Sequence, residues 1–284
     1  MVGARVVQRM LRHFGSSAPM VAMVHEGLPH EVQLDLEIDG WQVLLVPPLP
    51  NPNVARVRDR PWFATTYSKL HVFGLMQFDV VVFVDADTLP LANLDALFHL
   101  NVTHFAAAPE MMPPDTFNTG LMVVRPSQAL HARVMDARGS VSSYDGSDQG
   151  YLNSLFSDWF ATGQRLPFHY NVLQSISWFY PPGWDRMQAS MKLLHFCGDA
   201  SMKPWSYTQK MSGSLAKHVY LWQRVSWMEE QDDVHDFMWV LQLTDDKVVQ
   251  LALQPPPPFS LHPQEIQQLW APRGSPARTG GVKT

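Results

Sequence analysis

The chain has a single cysteine, Cys197, among 284 residues, so no internal disulfide can staple it and packing must hold it together. That lone thiol leaves the compartment open, because large luminal enzymes also manage without disulfides. No apolar run reaches the roughly 18 residues that span a bilayer. Basic excess is lacking too: the formal net charge is −5, which argues against a nucleic-acid partner. The N-terminus has neither the compact apolar centre nor the small-residue cleavage site of a signal peptide. Arg5, Arg9 and Arg12 at helical spacing suit a transit peptide or, more simply, an ordinary surface helix. Cytoplasm and Golgi lumen both fit. Hydrophobic residues make up 46% of the chain, and that content over this length supplies a genuine core.

Periodicity sets out an alternating order of elements. Residues 3–14 read as an amphipathic helix, 20–24 and 41–46 as strands, and 63–78 as a helix with Leu70, Phe73, Leu75 and Met76 inward. Helices are expected over 91–100 and 149–160, and strands over 104–108, 121–124 and 193–196. Ser127 is placed to cap a helix. Such alternation predicts an α/β domain with a mostly parallel central sheet flanked by helices. That domain is expected to cover 1–230, with 231–284 an extension whose Pro255–Pro258 run and polar end read as partly disordered.

The stretch Val80-Val81-Val82-Phe83-Val84 has the composition of a strand buried on both faces, and it runs straight into Asp85-Ala86-Asp87. Carboxylates at the carboxyl end of such a strand sit where open α/β sheets bind ligands. Paired hard oxygens on a short loop suit Mg²⁺ or Mn²⁺ shared with a diphosphate. A solvated turn is the plain alternative. The aspartyl-phosphate loop of haloacid-dehalogenase-type phosphatases is another, although Thr88 falls one residue too early for that pattern.

Other segments hold complementary chemistry: Phe117-Asn118-Thr119-Gly120, Asp145-Gly146-Ser147-Asp148-Gln149-Gly150, Tyr170-Asn171, and His195 through Trp205 with Lys203. With Thr66-Tyr67-Ser68-Lys69-Leu70 these segments, in this order, resemble glycosyltransferase family 8 in its glycogenin-like branch, over residues 66 to 205. The plant glucuronosyltransferases and galactinol synthases are similar.

The resemblance implies a GT-A nucleotide-diphospho-sugar transferase fold, a UDP-sugar donor and Mn²⁺, with Mg²⁺ as a substitute. It implies retaining transfer of a hexosyl unit to a hydroxyl of a glycan, polyol, lipid or protein, and a homodimer is compatible with it. Asp85, Asp87 and His195 would ligate the metal. Lys69, Asn118, Gly198 and Lys203 would contact the diphosphate or sugar, with Ala86 and Gly120 among the substrate-binding positions. Asp148 and Gln149 would stand at the anomeric centre, and Asp145 and Asn171 near sugar or acceptor. Set against the family, the first strand is expected to be missing. Trp178 falls where glycogenin carries its self-glucosylated tyrosine, so a separate acceptor is expected, although Tyr180 lies close by. The Gly198–Lys203 loop reads as two residues longer. A catalytically weak nucleotide-sugar-binding scaffold is the alternative in another class.

Overall fold

The computed structural model describes residues 2–57, 60–206, 213–228 and 232–243. Helix α1 (Val2–His13) opens it. It is no surface helix: Val6 and Met10 are fully buried in a core with Trp184, Trp222 and Phe196. Its arginines serve as ties. Arg5 pairs with Asp39 at 2.9 Å, and Arg9 donates to the carbonyls of Val225 and Met228.

Strand β1 (Val21–His25), helix α2 (His30–Ile38) and strand β2 (Gln42–Val46) form a parallel unit, in register from Val21↔Gln42 to His25↔Val46. The acid-alternating stretch around Leu36 is therefore helical, because two parallel neighbours need a crossover. The expected helix over 63–78 is built of 3-10 turns, Pro61–Ala64 and Thr66–Gly74.

Next come β3 (Val81–Val84), β4 (Thr88–Pro90), β5 (Phe105–Pro109), β6 (Phe117–Val124), α3 (Gln128–Asp136) and α4 (Asp148–Leu155). They are followed by β7 (Val172–Leu173), α5 (Ile176–Phe179), α6 (Pro181–Met187), β8 (Leu193–His195) and α7 (Gly213–Ser226). Ser127 caps α3 as expected, its hydroxyl accepting from Leu130 N. A short 3-10 turn (Asp95–His99) replaces the helix read over 91–100. The Asp95 carboxylate is taken up by Ser16 Oγ and Ser17 N, which ties this turn to the end of α1.

The expectation of a mostly parallel sheet is not met. β3–β6, β5–β6 and β4–β8 pair antiparallel, while β1–β2 and β7–β8 are parallel. For β5–β6 the reason is connection length: the short turn between Pro109 and Phe117 cannot carry the dozen or more residues of a parallel crossover. Strand β6 is the true centre. All eight of its residues are buried, alternating between a cluster under α3 and α4 and a second cluster holding Leu97, Val102 and Leu193.

The packed body continues past residue 230. Val234 and Phe237 join the main core, and Val240 packs with Ala216 and Tyr220 of α7. The proline-rich tail expected from Pro255 lies outside the described residues. Among the described residues no helix is long and apolar enough to cross a membrane.

Between β1 and β3 the sheet is interrupted, and each of those strands pairs on one edge only among the described residues. The interval holds a cavity of about 730 Å³. A sealed dry void of that volume would cost on the order of 17 kcal/mol at about 24 cal/mol per Å³, above the whole ~5–15 kcal/mol of a typical domain. The space is therefore a solvent-reachable groove.

Candidate active site

Strand β3 delivers Asp85 to the rim of the sheet, where its N–H donates to Gly120 O at 2.8 Å. Thr88 Oγ1 donates to Asp85 O and closes the turn, so the chain reverses into β4 with Asp87 held on the inside. The β4–β8 pairing then places Thr88 opposite His195, and Phe196 N donates to Asp87 O at 2.9 Å. One ligand atom each from Asp85, Asp87 and His195 lies within 4.8 Å of the others. That is about the span of two ligands facing each other across a cation bound at roughly 2.1–2.6 Å.

The imidazole is oriented from behind. His195 Nδ1 lies 3.2 Å from Asn171 Oδ1, and Asn171 Nδ2 donates to Asn118 Oδ1 at 2.8 Å. With the amide oxygen accepting, Nδ1 carries a proton, and Nε2 faces Asp87 Oδ1 at 3.3 Å. Gly120 makes room for this. A Cβ there would stand 2.3 Å from His195 Cε1 and 2.4 Å from Nδ1.

Two lysines flank the carboxylates. Lys69 Nζ reaches Asp85 at 2.9 Å and Asp148 at 3.2 Å, and Thr119 Oγ1 at 3.2 Å. Lys203 Nζ bonds Asp87 Oδ2 and, at 2.9 Å, Phe196 O. Burial opposes the charge on Lys69, yet Asp148 and Asp85 outweigh it and hold its pKa above the ordinary lysine value. Burial lifts Asp85 above the usual carboxylate range against the pull of Lys69. Burial acts the same way on Asp87, but His195 and Lys203 overcome it and hold that group well below the range. A divalent cation between the two acids would relieve the penalty on Asp85. Two carboxylates and one imidazole nitrogen are a donor set that fits such an ion.

Ser147 caps α4, accepting from Gln149 N and Gly150 N. Relieved of capping, Asp148 Oδ2 accepts from Thr119 Oγ1 at 2.9 Å. Gln149 Oε1 accepts from Thr119 N, and its amide donates to Glu110 Oε2 at 2.9 Å. Glu110 Oε2 also accepts from Asn118 Nδ2 at 2.9 Å. Asp145 is engaged within its own loop, accepting from Ser147 N and from the hydroxyls of Ser143 and Ser147. Ala86 is the residue between the two acids, and Gly198 adopts φ +116° in the turn that leads to Lys203.

Glu110 and Thr119 were missed by sequence reasoning as members of the cluster. Thr119 sat in plain view between Asn118 and Gly120, but only geometry shows its hydroxyl joining Lys69 to Asp148. Glu110 had no signal, since nothing in Pro109-Glu110-Met111 marks it. The phosphatase alternative loses its threonine, because Thr88 is fully buried inside β4.

Comparison with known proteins supplies the family and the fold. Residues 51–209 match the model of glycosyl transferase family 8. Glycogenin-1 of Caenorhabditis elegans is 33% identical over 227 residues, covering 78% of this chain and 52% of that protein. Human glycogenin-1 is 35% identical over 210 residues, covering 72% and 59%. An Arabidopsis thaliana protein described as a putative UDP-glucuronate:xylan alpha-glucuronosyltransferase 3 is 32% identical over 215 residues, covering 72% and 32%. The chain thus spans about half the length of the curated relatives it matches. The solved galactosyltransferase LgtC superimposes with a TM-score of 0.59 at 16% identity, covering 79% of this chain and 90% of that one. The glycosyltransferase GlyE of Streptococcus pneumoniae gives 0.55 at 17%, covering 90% and 63%. These likenesses establish the GT-A fold. The chain belongs to glycosyl transferase family 8.

Proposed function

We propose that this chain is a metal-dependent retaining glycosyltransferase that moves a hexosyl unit from a UDP-sugar to a hydroxyl acceptor. The observation that carries the reading is the meeting of Asp85 and Asp87, on the turn from β3 to β4, with His195 of the distant β8, between two lysines. Mn²⁺ suits the mixed oxygen and nitrogen donors better than Mg²⁺, which prefers oxygen alone.

When bound, the ion supplies Lewis-acid neutralisation of the departing diphosphate. The chain's own residues do the rest. Lys203 adds positive charge beside Asp87, where the phosphates would lie. Lys69 and Thr119 fix the position of the Asp148 side chain, which would face the developing positive charge at the anomeric carbon. Gln149 is held through Glu110 for contact with a sugar hydroxyl, as is Asn118. Asp145 acts through the loop ahead of α4. Gly198 lets the Lys203 loop turn back over the site.

The acceptor is a separate molecule. Trp178, partly buried against the main core, offers no usable nucleophile, and Tyr180 lies exposed at the corner before α6. Hexose found on Tyr180 by mass spectrometry after incubation with donor would contradict this. The interrupted sheet favours one other reading, a donor-binding protein with weak turnover. A panel of UDP-sugars with Mn²⁺, scored for both thermal shift and transfer, decides the matter with Asp87→Ala as control. Transfer that the substitution abolishes is expected; a thermal shift without transfer selects the weak binder, and neither response defeats both.

A further inference from the structure

Cys197 and Lys203 bracket a turn whose residues Gly198 to Ser201 are exposed, and that turn delivers the Lys203 ammonium to Asp87. Exposed turns are ordinarily the parts of a site that move. Here both ends of the turn are fastened to one side chain. Gln174 Nε2 donates to Cys197 O at 2.8 Å and to Met202 O at 3.2 Å. The two hydrogens of a single amide thus close the turn at its base.

Gln174 is itself held firmly. It follows β7, its N–H donates to His195 O at 3.0 Å, and it is fully buried. β7 pairs with β8 from Val172↔Leu194 to Leu173↔His195, so the amide takes its position from the strand that carries the imidazole. Both groups that it bonds are carbonyls, so its nitrogen must point at the turn and its oxygen elsewhere. That oxygen, Oε1, has no hydrogen-bond partner among the described residues. An unpaired buried acceptor is a cost, which an apolar side chain filling the same space would avoid. The two donor bonds are what this position gains in return.

The remaining ties on the turn do other work. Asp199 accepts from Ser201 N and Ser201 Oγ, which shapes the turn without anchoring it. Gln223 Nε2 donates to Pro204 O at 2.9 Å, beyond Lys203. The Lys203 ammonium bonds Asp87 and Phe196 O, contacts that compete with a phosphate for the same charge. Gln174 grips backbone, for which a phosphate does not compete.

We propose that Gln174 is a positioning residue, which sets the affinity for the donor's diphosphate by holding the Gly198–Lys203 turn in place before the donor arrives. It acts through Lys203, and the assignment rests on the transferase reading above, in which Lys203 faces the diphosphate. Without the clip, the turn must be ordered on binding, and that lost freedom is subtracted from the affinity.

The test uses the full chain with two substitutions. Gln174→Met keeps the volume and removes both donors; Gln174→Asn, a second variant should the first not fold, keeps an amide too short to span both carbonyls. Amide hydrogen exchange is read over 198–203, UDP binding with Mn²⁺ by calorimetry, and Mn²⁺ binding alone by electron paramagnetic resonance. Each variant is expected to exchange about tenfold faster in the turn and to bind UDP about tenfold more weakly. Affinity for Mn²⁺ alone should stay within about twofold. In a Lys203→Met background the Gln174 substitution should add almost nothing to the loss of UDP affinity. Unchanged exchange in the turn overturns the proposal, as does a loss of UDP affinity that is just as large in the Lys203→Met background. A fall in binding stoichiometry at unchanged affinity also overturns it, since that is the mark of a merely unstable fold. Wild type that binds no UDP overturns this assignment and the transferase reading together, whereas wild type that binds UDP beside unaffected variants overturns the assignment alone.

Discussion

The two sides of β3 are built differently. On one side β6 is buried along its whole length and hydrogen-bonds β3 and β5 together. On the other, β1 is half-exposed throughout and has β2 as its partner across an open groove. The chemistry gathers on the closed side. β6 supplies Asn118, Thr119 and Gly120, and the network through Asn171 to His195 rests on it. The acidic pair thus hangs from a strand whose position is set from one edge alone. Precision at the site is inherited from β6, and the groove side is where the structure has room to give.

The largest way to break this contrast is to spoil the closed side. Gly120→Ala puts a methyl group 2.3 Å from His195 Cε1, so the imidazole must leave its place opposite Asp87. Transfer from UDP-sugar and Mn²⁺ affinity should each fall by about a hundredfold or more, with circular dichroism little changed. Unchanged Mn²⁺ affinity would show that His195 is not positioned through β6. Next in size is a pair of core truncations, one per side. Phe117→Ala, fully buried on β6, should cost about 3–5 kcal/mol in urea unfolding, whereas Met23→Ala on half-buried β1 should cost less than about 1.5. Equal costs would erase the distinction between the two sides.

Much of the closed side was legible in the sequence. The valine run and its two acids, the Asn118 segment at the start of β6, the start of α4 and the His195 segment all lie on short local patterns, and the structure brings these segments together. What periodicity missed were features decided by pairing. β4 has too few residues to show a period, and its partner β8 is a hundred residues away. The antiparallel direction of β5–β6 follows from a loop length, not from side-chain pattern. Glu110 earns its place through Asn118 and Gln149, which no spacing could announce. On the open side the arginines of α1 looked like a solvated face until Asp39 and the carbonyls near the end of α7 were seen to receive them.

A smaller effect sharpens the electrostatic part of the contrast. The folded-state pKa of Asp87 lies below its unfolded value, so the stability it contributes is fully present above about pH 4 and is lost as pH falls through the folded value. Asp87→Asn should flatten the acid limb of the stability curve, measured by urea unfolding between about pH 5 and 3. A limb as steep as wild type would mean that His195 and Lys203 do not hold Asp87 ionised. Smallest is the thiol. Burial, with Glu110 and Asp87 nearby, pushes Cys197 up to about 12, so iodoacetamide at pH 8 should leave it largely unmodified until the chain unfolds. Fast alkylation of the folded chain would show that this turn is open.

The decisive experiment is an Mn²⁺ titration followed by electron paramagnetic resonance, on wild type and on Asp85→Ala, Asp87→Ala and His195→Ala in turn. If the three side chains share one ion, wild type shows a single saturable site and each substitution weakens it by about tenfold or more. Affinity that survives removal of His195 while the two aspartate variants lose it would leave a simple acidic loop, and the convergence on which the transferase reading stands would be wrong.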